Sequence, residues 1–148
     1  MPAVTAPLDF PSVEWMAAYK EAINANEAYA TAGKEWTHGV VAMVVKADPS
    51  LGIPEDLAMW LDVHQGKCRD CKLLPASEAD GASFVIVAPY TTWRTVIEKG
   101  LDPTKAMMQN KLRLVRGHMP TMVKFVTASK QLVESTTRIA TRFRAVVA

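Results

Sequence analysis

No stretch of the chain approaches the roughly 18 consecutive apolar residues that a membrane helix requires, which argues against a membrane span. Cysteine is scarce, with two in 148 residues. Two thiols cannot make a disulfide framework, and although His64 lies four residues before Cys68, two more Cys or His at standard zinc-ligand spacing are missing. The opening MPAVTAPLDFPS lacks both a basic n-region and an apolar h-region, so no secretory signal is expected and a soluble, cytoplasmic protein is the default. Nucleophile elbows, HExxH and phosphate-binding glycine loops are missing. Their absence removes the familiar catalytic classes but leaves a cofactor-free enzyme open. Internal repeats and low-complexity tracts are also lacking.

What is present is ordinary globular material. Hydrophobic residues make up 49% and charged residues 22%. The length favours one domain spanning residues 1–148, large enough to bury a core without staples. A net charge of +2 gives no reason to expect nucleic acid. The distribution is uneven, however. From Pro89 onward eleven Lys/Arg face three Asp/Glu, a balance of +8, whereas the part before it has six against twelve, or −6. Such asymmetry marks either a surface that meets an anion or two halves that neutralise each other through salt bridges; the second is the more ordinary reading.

Periodicity orders the elements. Ser12 to Ala30 reads as one helix, N-capped by Ser12, with Trp15, Tyr19, Ile23 and Tyr29 along its stripe. Gly39 to Ala47 is β-branched and apolar on both faces, so both should be covered. Asp56 to His64 alternates, with Leu57, Met59, Leu61 and Val63 inward. Gln65-Gly66-Lys67 turns the chain into a return strand, Cys68 to Leu74, and Ser83 to Ala88 is another strand. Thr91 to Lys99 is a helix that stops at Gly100. Asp102 then caps a short helix beginning at Pro103. Lys111 to Arg116 alternates as a strand. From Pro120 an amphipathic stretch extends to Phe143, as one helix or as two broken near Ser129. Hairpin-linked strands with helices in separate blocks give α+β: a mostly antiparallel five-stranded sheet with helices packed on one face.

The segment SFVIVAPYTTWRTVIEKGLDPTKAMMQNKLRLVRGHMPTMVKFVT resembles the sterol carrier protein type-2 domain family. The resemblance rests on an ordered run: Trp93, Gly100, Leu101-Asp102-Pro103, Ala106-Met107, Lys111-Leu112-Arg113-Leu114 and Gly117. Two features depart from the family. Asn110 stands where members usually have Gly, though Asn tolerates the left-handed region better than other side chains. The part beyond Leu132 is longer than the family core, and residues 133–148 read as a C-terminal helical extension, a lid or a dimer helix.

The resemblance implies an apolar cavity between sheet and helices. It would hold a fatty acid, acyl-CoA or sterol, with no metal or redox cofactor, in a carrier or binding module. Its lining would include Trp93, Ile97, Met107, Met108, Leu112, Leu114, Met119, Met122 and Phe125, the methionines adapting to varied apolar shapes. Lys105, Lys111, Arg113 and Arg116 would meet a carboxylate or CoA phosphates at the mouth, unless they form a solvated strand face. The basic C-terminal helix reads as a core helix with a charged outer side; membrane-surface contact and a homodimer are its alternatives. A catalytic variant (cyclase, isomerase or hydrolase) would need a polar group inside the cavity, with His118 or His64 the candidates. Asp62 and His64 share a strand face, but it is the one away from the core. Cys68 and Cys71 form a lone C-x-x-C on a strand, which favours quiet thiols over metal or redox chemistry.

Overall fold

The structure is a computed structural model that describes residues 6–144. The N-terminal stretch splits where one helix was expected. Helix α1 is Val13–Asn24, with the Ser12 side chain accepting the Trp15 N–H at 3.0 Å. Helix α2 is Glu27–Ala32. Asn26 makes the break: its side-chain oxygen accepts the Tyr29 N–H and caps α2. Its amide donates to Ser135 Oγ at 3.0 Å and to the Gln131 carbonyl at 3.3 Å. Short polar side chains compete with helical backbone bonds, so Asn26 stabilises a cap where the apolar stripe alone would have continued.

The five-stranded sheet runs in the order β4-β3-β2-β5-β6. Its strands are β2 Val41–Val45, β3 Leu57–His64, β4 Lys67–Pro75, β5 Phe84–Ala88 and β6 Arg113–Arg116. Every pairing is antiparallel except β2 with β5. Central β2 is apolar on both faces because both are covered. Val41 and Val45 join the main core, while Ala42 and Val44 pack beneath Ala79 and Ala82 from the segment before β5. The β3–β4 hairpin turns through Gln65 and Gly66, both at positive φ. A Cβ on Gly66 would lie 2.4 Å from the Ala30 carbonyl, so α2 rests directly on this turn.

After β5 come α3 Tyr90–Lys99 and α4 Pro103–Met108. Gly100 at φ 62 ends the first, and the Asp102 carboxylate accepts the Thr104 N–H at the start of the second. Asn110 sits at φ 59, so the left-handed turn expected at this position forms with Asn.

The C-terminal part differs from the helical expectation. Helix α5 is Met119–Lys124 and α6 is Val126–Thr136, with the break at Phe125 and not near Ser129. Among the described residues the helix of this extension ends at Thr136. After Thr136 the chain turns out of the helix, and strand β7, Thr141–Phe143, pairs in parallel with β1, Leu8–Phe10. Phe143 packs against Phe10 at 6.0 Å between ring centres, and Arg142 pairs with Asp9 at 2.6 Å. Three-residue strands carry too little alternation to be seen against a helical pattern. The expectations for residues 1–5 and 145–148 lie outside the described residues.

Charge neutralisation between the two halves is slight. Of the five ion pairs among the described residues, only Arg142–Asp9 joins the acidic part to the basic one. No helix among the described residues is long and apolar enough to cross a membrane.

Because Asn26 is 1% exposed and serves both as cap and as a bridge to α6, Asn26→Ala should cost about 2–3 kcal/mol: a lost cap plus unpaired buried partners. Urea unfolding of the two proteins measures this; a change below about 0.5 kcal/mol would contradict the bridge.

Candidate ligand-binding site

The helices pack on one face of the sheet and leave an apolar gap of about 70 Å³ between the two layers. Val41, Met43, Met59 and Ile86 form the sheet side. Trp15, Tyr19, Trp93, Met122, Phe125 and Leu132 form much of the helical side. The wall is apolar because the aromatic rings pass their polar atoms to the protein. Trp93 Nε1 donates to the Val44 carbonyl at 2.8 Å, and the Tyr19 hydroxyl donates to the Leu132 carbonyl at 2.9 Å. Trp15 Nε1 donates to Thr141 Oγ1 at 2.9 Å, and Trp36 Nε1 to the Gly39 carbonyl at 3.0 Å. What faces the gap is mostly carbon, with Ser129 and Thr136 the polar exceptions, a lining suited to an apolar ligand.

The cavity implied by the resemblance is not formed at lipid size. An apolar cavity of about 150 Å³ just holds benzene, so 70 Å³ cannot hold a fatty acid without rearrangement. The rings of Trp36 and Phe125 meet edge-on at 5.0 Å, and Phe10 meets Trp15 at 4.8 Å, which closes much of the space.

The structure brings five of the nine proposed lining residues to the gap: Trp93, Ile97, Leu112, Met122 and Phe125. Met107 is buried elsewhere in the core, and Leu114 and Met119 pack at its margin without reaching the gap. Met108 is 68% exposed, because it falls on the outer side of short α4. The sequence reading missed the N-terminal contribution. Phe10, Trp15, Tyr19, Tyr29 and Trp36 all line the gap, and the aromatic stripe of Trp15, Tyr19 and Tyr29 was the available signal.

The cations do not converge on the gap. The pairing of β5 with β6 shifts register between Val85 and Ile86, which leaves Val115 as an extra residue. Arg116 then lies opposite Val85 and Arg113 opposite Val87, on the sheet face away from the gap, while Leu114 stays with core-facing Ile86. Arg116 Nη1 donates to the Asp80 and Ala82 carbonyls, pinning the segment that covers the outer face. Lys105 and Lys111 are exposed on α4 and the turn after it. The histidines proposed for catalysis are not in the lining either. His118 is exposed with Nδ1 2.9 Å from Thr121 Oγ1, and His64 is half-buried at the end of β3.

Burial raises the pKa of the Tyr19 phenol well above its usual value and does the same to Tyr29, with the neighbouring thiols adding to the effect. Both therefore stay neutral in the folded chain at pH values where an unfolded tyrosine ionises. Their contribution to stability is intact below about pH 10 and is lost as the pH rises beyond it, by up to ~1.4 kcal/mol per pH unit for each phenol. Phenolate absorbance should consequently appear together with unfolding. A smooth titration of all three tyrosines near pH 10, with the circular dichroism unchanged, would contradict the buried placement.

Comparison with known proteins adds a further set of observations. The SCP-2 sterol transfer family matches residues 19–130. A crystal structure of sterol carrier protein 2 is 35% identical with a TM-score of 0.81, over 87% of this chain and 98% of that one. A conserved hypothetical protein from Thermus thermophilus, solved in solution, is 34% identical with the same TM-score, over 88% and 90%. The apo form of sterol carrier protein 2 from Yarrowia lipolytica, at 13% identity and a TM-score of 0.51 over 82% and 88%, shares the fold. A search of curated proteins found no match. The matched stretch runs from α1 well into α6 and takes in the whole sheet, and the two more similar structures follow the chain over nearly all of their own length, so the chain belongs to the SCP-2 sterol transfer family.

Proposed function

We propose that this protein binds a long apolar ligand, a fatty acid, acyl-CoA or sterol, between its sheet and its helices and serves as a lipid carrier or binding module. The observation that carries this reading is the gap itself. It is walled mostly by rings, methionines and aliphatic side chains, with the indole N–H groups of Trp15, Trp36 and Trp93 and the Tyr19 hydroxyl bonded to the protein, in a chain of a sterol transfer family. Each methylene moved out of water contributes about 0.8 kcal/mol, so a chain of a dozen carbons has ample driving force to widen a closed interior.

The widening falls to the helical side, because the sheet side is fixed by its ladder of hydrogen bonds. Helices α5 and α6 meet at the break beside Phe125 and carry Met122, Phe125 and Leu132 into the gap. Flexible methionines on both sides (Met43 and Met59 opposite Met122) let the wall re-form around ligands of different outline. With Arg113 and Arg116 on the far face of the sheet, recognition rests on apolar shape more than on a clamp for an anionic headgroup.

Mass spectrometry of the purified protein, native and then after organic extraction, should reveal a stoichiometric fatty acid, acyl-CoA or sterol-like species. A fluorescent fatty acid should bind at micromolar concentration. Ala128 is 5% exposed and lines the gap, so Ala128→Phe should fill it and weaken binding by about tenfold or more, ~1.4 kcal/mol, while Met108→Ala leaves binding unchanged. A folded protein that neither carries nor binds any of the three ligand classes would end this reading.

A further inference from the structure

Cysteines three apart on a regular strand point to opposite faces. Cys68 and Cys71 do not, because the β3–β4 pairing is irregular between them. Asp62 lies opposite Asp70 and Val63 opposite Cys68, so Arg69 is an extra residue in β4. This bulge turns both thiols to the inner face, where their sulfurs are 2.9 Å apart. Cys68 is 2% exposed. Its backbone is held by Asn24, which donates to its carbonyl at 2.9 Å and accepts its N–H at 2.8 Å. Cys71 is half-buried and lines an open surface groove between α1 and β4, beside Lys20, Asn24 and Asp70.

We propose that Cys68 and Cys71 are a reversible dithiol–disulfide pair, oxidised by a small disulfide that reaches Cys71 through the groove between α1 and β4. Cys71 Sγ attacks one sulfur of the incoming disulfide and breaks its S–S bond. The chain then carries a mixed disulfide and one small thiol is released. Cys68 Sγ, directly behind, attacks Cys71 Sγ and expels the second small thiol. Two electrons and two protons leave the protein thiols, and the oxidant becomes two thiols.

Access sets this order, since Cys71 lines the groove and Cys68 is covered, and the neighbouring groups decide where the proton goes. The hydrogen bond from Cys71 lowers the pKa of Cys68, with the Asp70 backbone and the Lys20 charge acting the same way. Sharing that proton raises the pKa of Cys71. Cys68 is thus the sulfur that holds negative charge more readily, and it can take the proton from Cys71 as the outer thiol attacks. No group of three or more metal-binding side chains occurs among the described residues, so the paired thiols have no third ligand to share a cation.

The test uses the full chain in buffers of reduced and oxidised glutathione, quenched under denaturing conditions with an alkylating agent and weighed intact. Wild type should lose both alkylatable thiols together, become lighter by two hydrogens, remain monomeric and retain no glutathione. Cys68→Ser should instead accumulate a single glutathione adduct on Cys71. In Cys71→Ser, the covered Cys68 should react at least about tenfold more slowly than Cys71 does in Cys68→Ser. Two alkylatable thiols persisting in wild type under excess oxidised glutathione, a lasting glutathione adduct, or disulfide-linked dimers would each overturn the proposal. If circular dichroism shows that Cys68→Ser fails to fold, Cys68→Ala takes its place, and the wild-type mass remains decisive by itself.

Discussion

A buried phenol or indole must give its O–H or N–H to an acceptor, because leaving one unpaired costs about 1–3 kcal/mol. In this chain that requirement falls at the junctions between layers. Trp93 ties α3 to the Val44 carbonyl of β2, and Tyr19 ties α1 to the Leu132 carbonyl of α6. Trp15 reaches Thr141 of β7, while the Tyr90 hydroxyl donates to the Phe10 carbonyl of β1 and accepts the Arg144 N–H. Helices α1, α3 and α6 are thereby each held at a fixed place on a partner. The same bonds satisfy the polar atoms of Trp15, Tyr19 and Trp93 within the protein, so the fold and the mostly apolar character of the gap have a common cause.

That arrangement also explains why the interior is nearly closed. Rings as large as those of Trp36, Phe125, Phe10 and Trp15 bury well against one another when nothing else fills the space. A binding protein of this design trades ring-on-ring contact for ring-on-ligand contact. The exchange is easiest where the wall is made of side chains such as Met122, which repack at little cost, and hardest along β2, which is gripped from both sides.

Much of the framework was legible in residue order. The doubly apolar β2, the Gln65-Gly66 turn, the stop at Gly100 and the Asp102-Pro103 restart all follow from local chemistry, and the resemblance supplied the expectation of a left-handed turn at Asn110. What could not be read was set by tertiary partners. Asn26 breaks the first helix because Ser135 and Gln131 of α6 wait for its amide. The bulges at Arg69 and Val115 are a matter of register, and a single extra residue reverses which face a side chain occupies. Hence Arg113 and Arg116 lie across the sheet from the gap, and Cys68 and Cys71 lie side by side. At the gap, Trp93, Leu112 and Phe125 were reachable from the motif, whereas Phe10 and Trp36 lie outside any pattern that marks them as lining.

The short parallel pairing of β1 with β7 brings together residues 133 apart in sequence, among them Asp9 and Arg142. Three paired residues a side return little by themselves, so the seam depends on what its side chains bury: Phe10 is 0% exposed and meets Trp15, Tyr90 and Phe143 ring to ring. Thr141 holds the Trp15 indole, so the seam fixes the orientation of one wall residue of the gap. The two ends of the described chain are therefore part of what sets the shape of the interior.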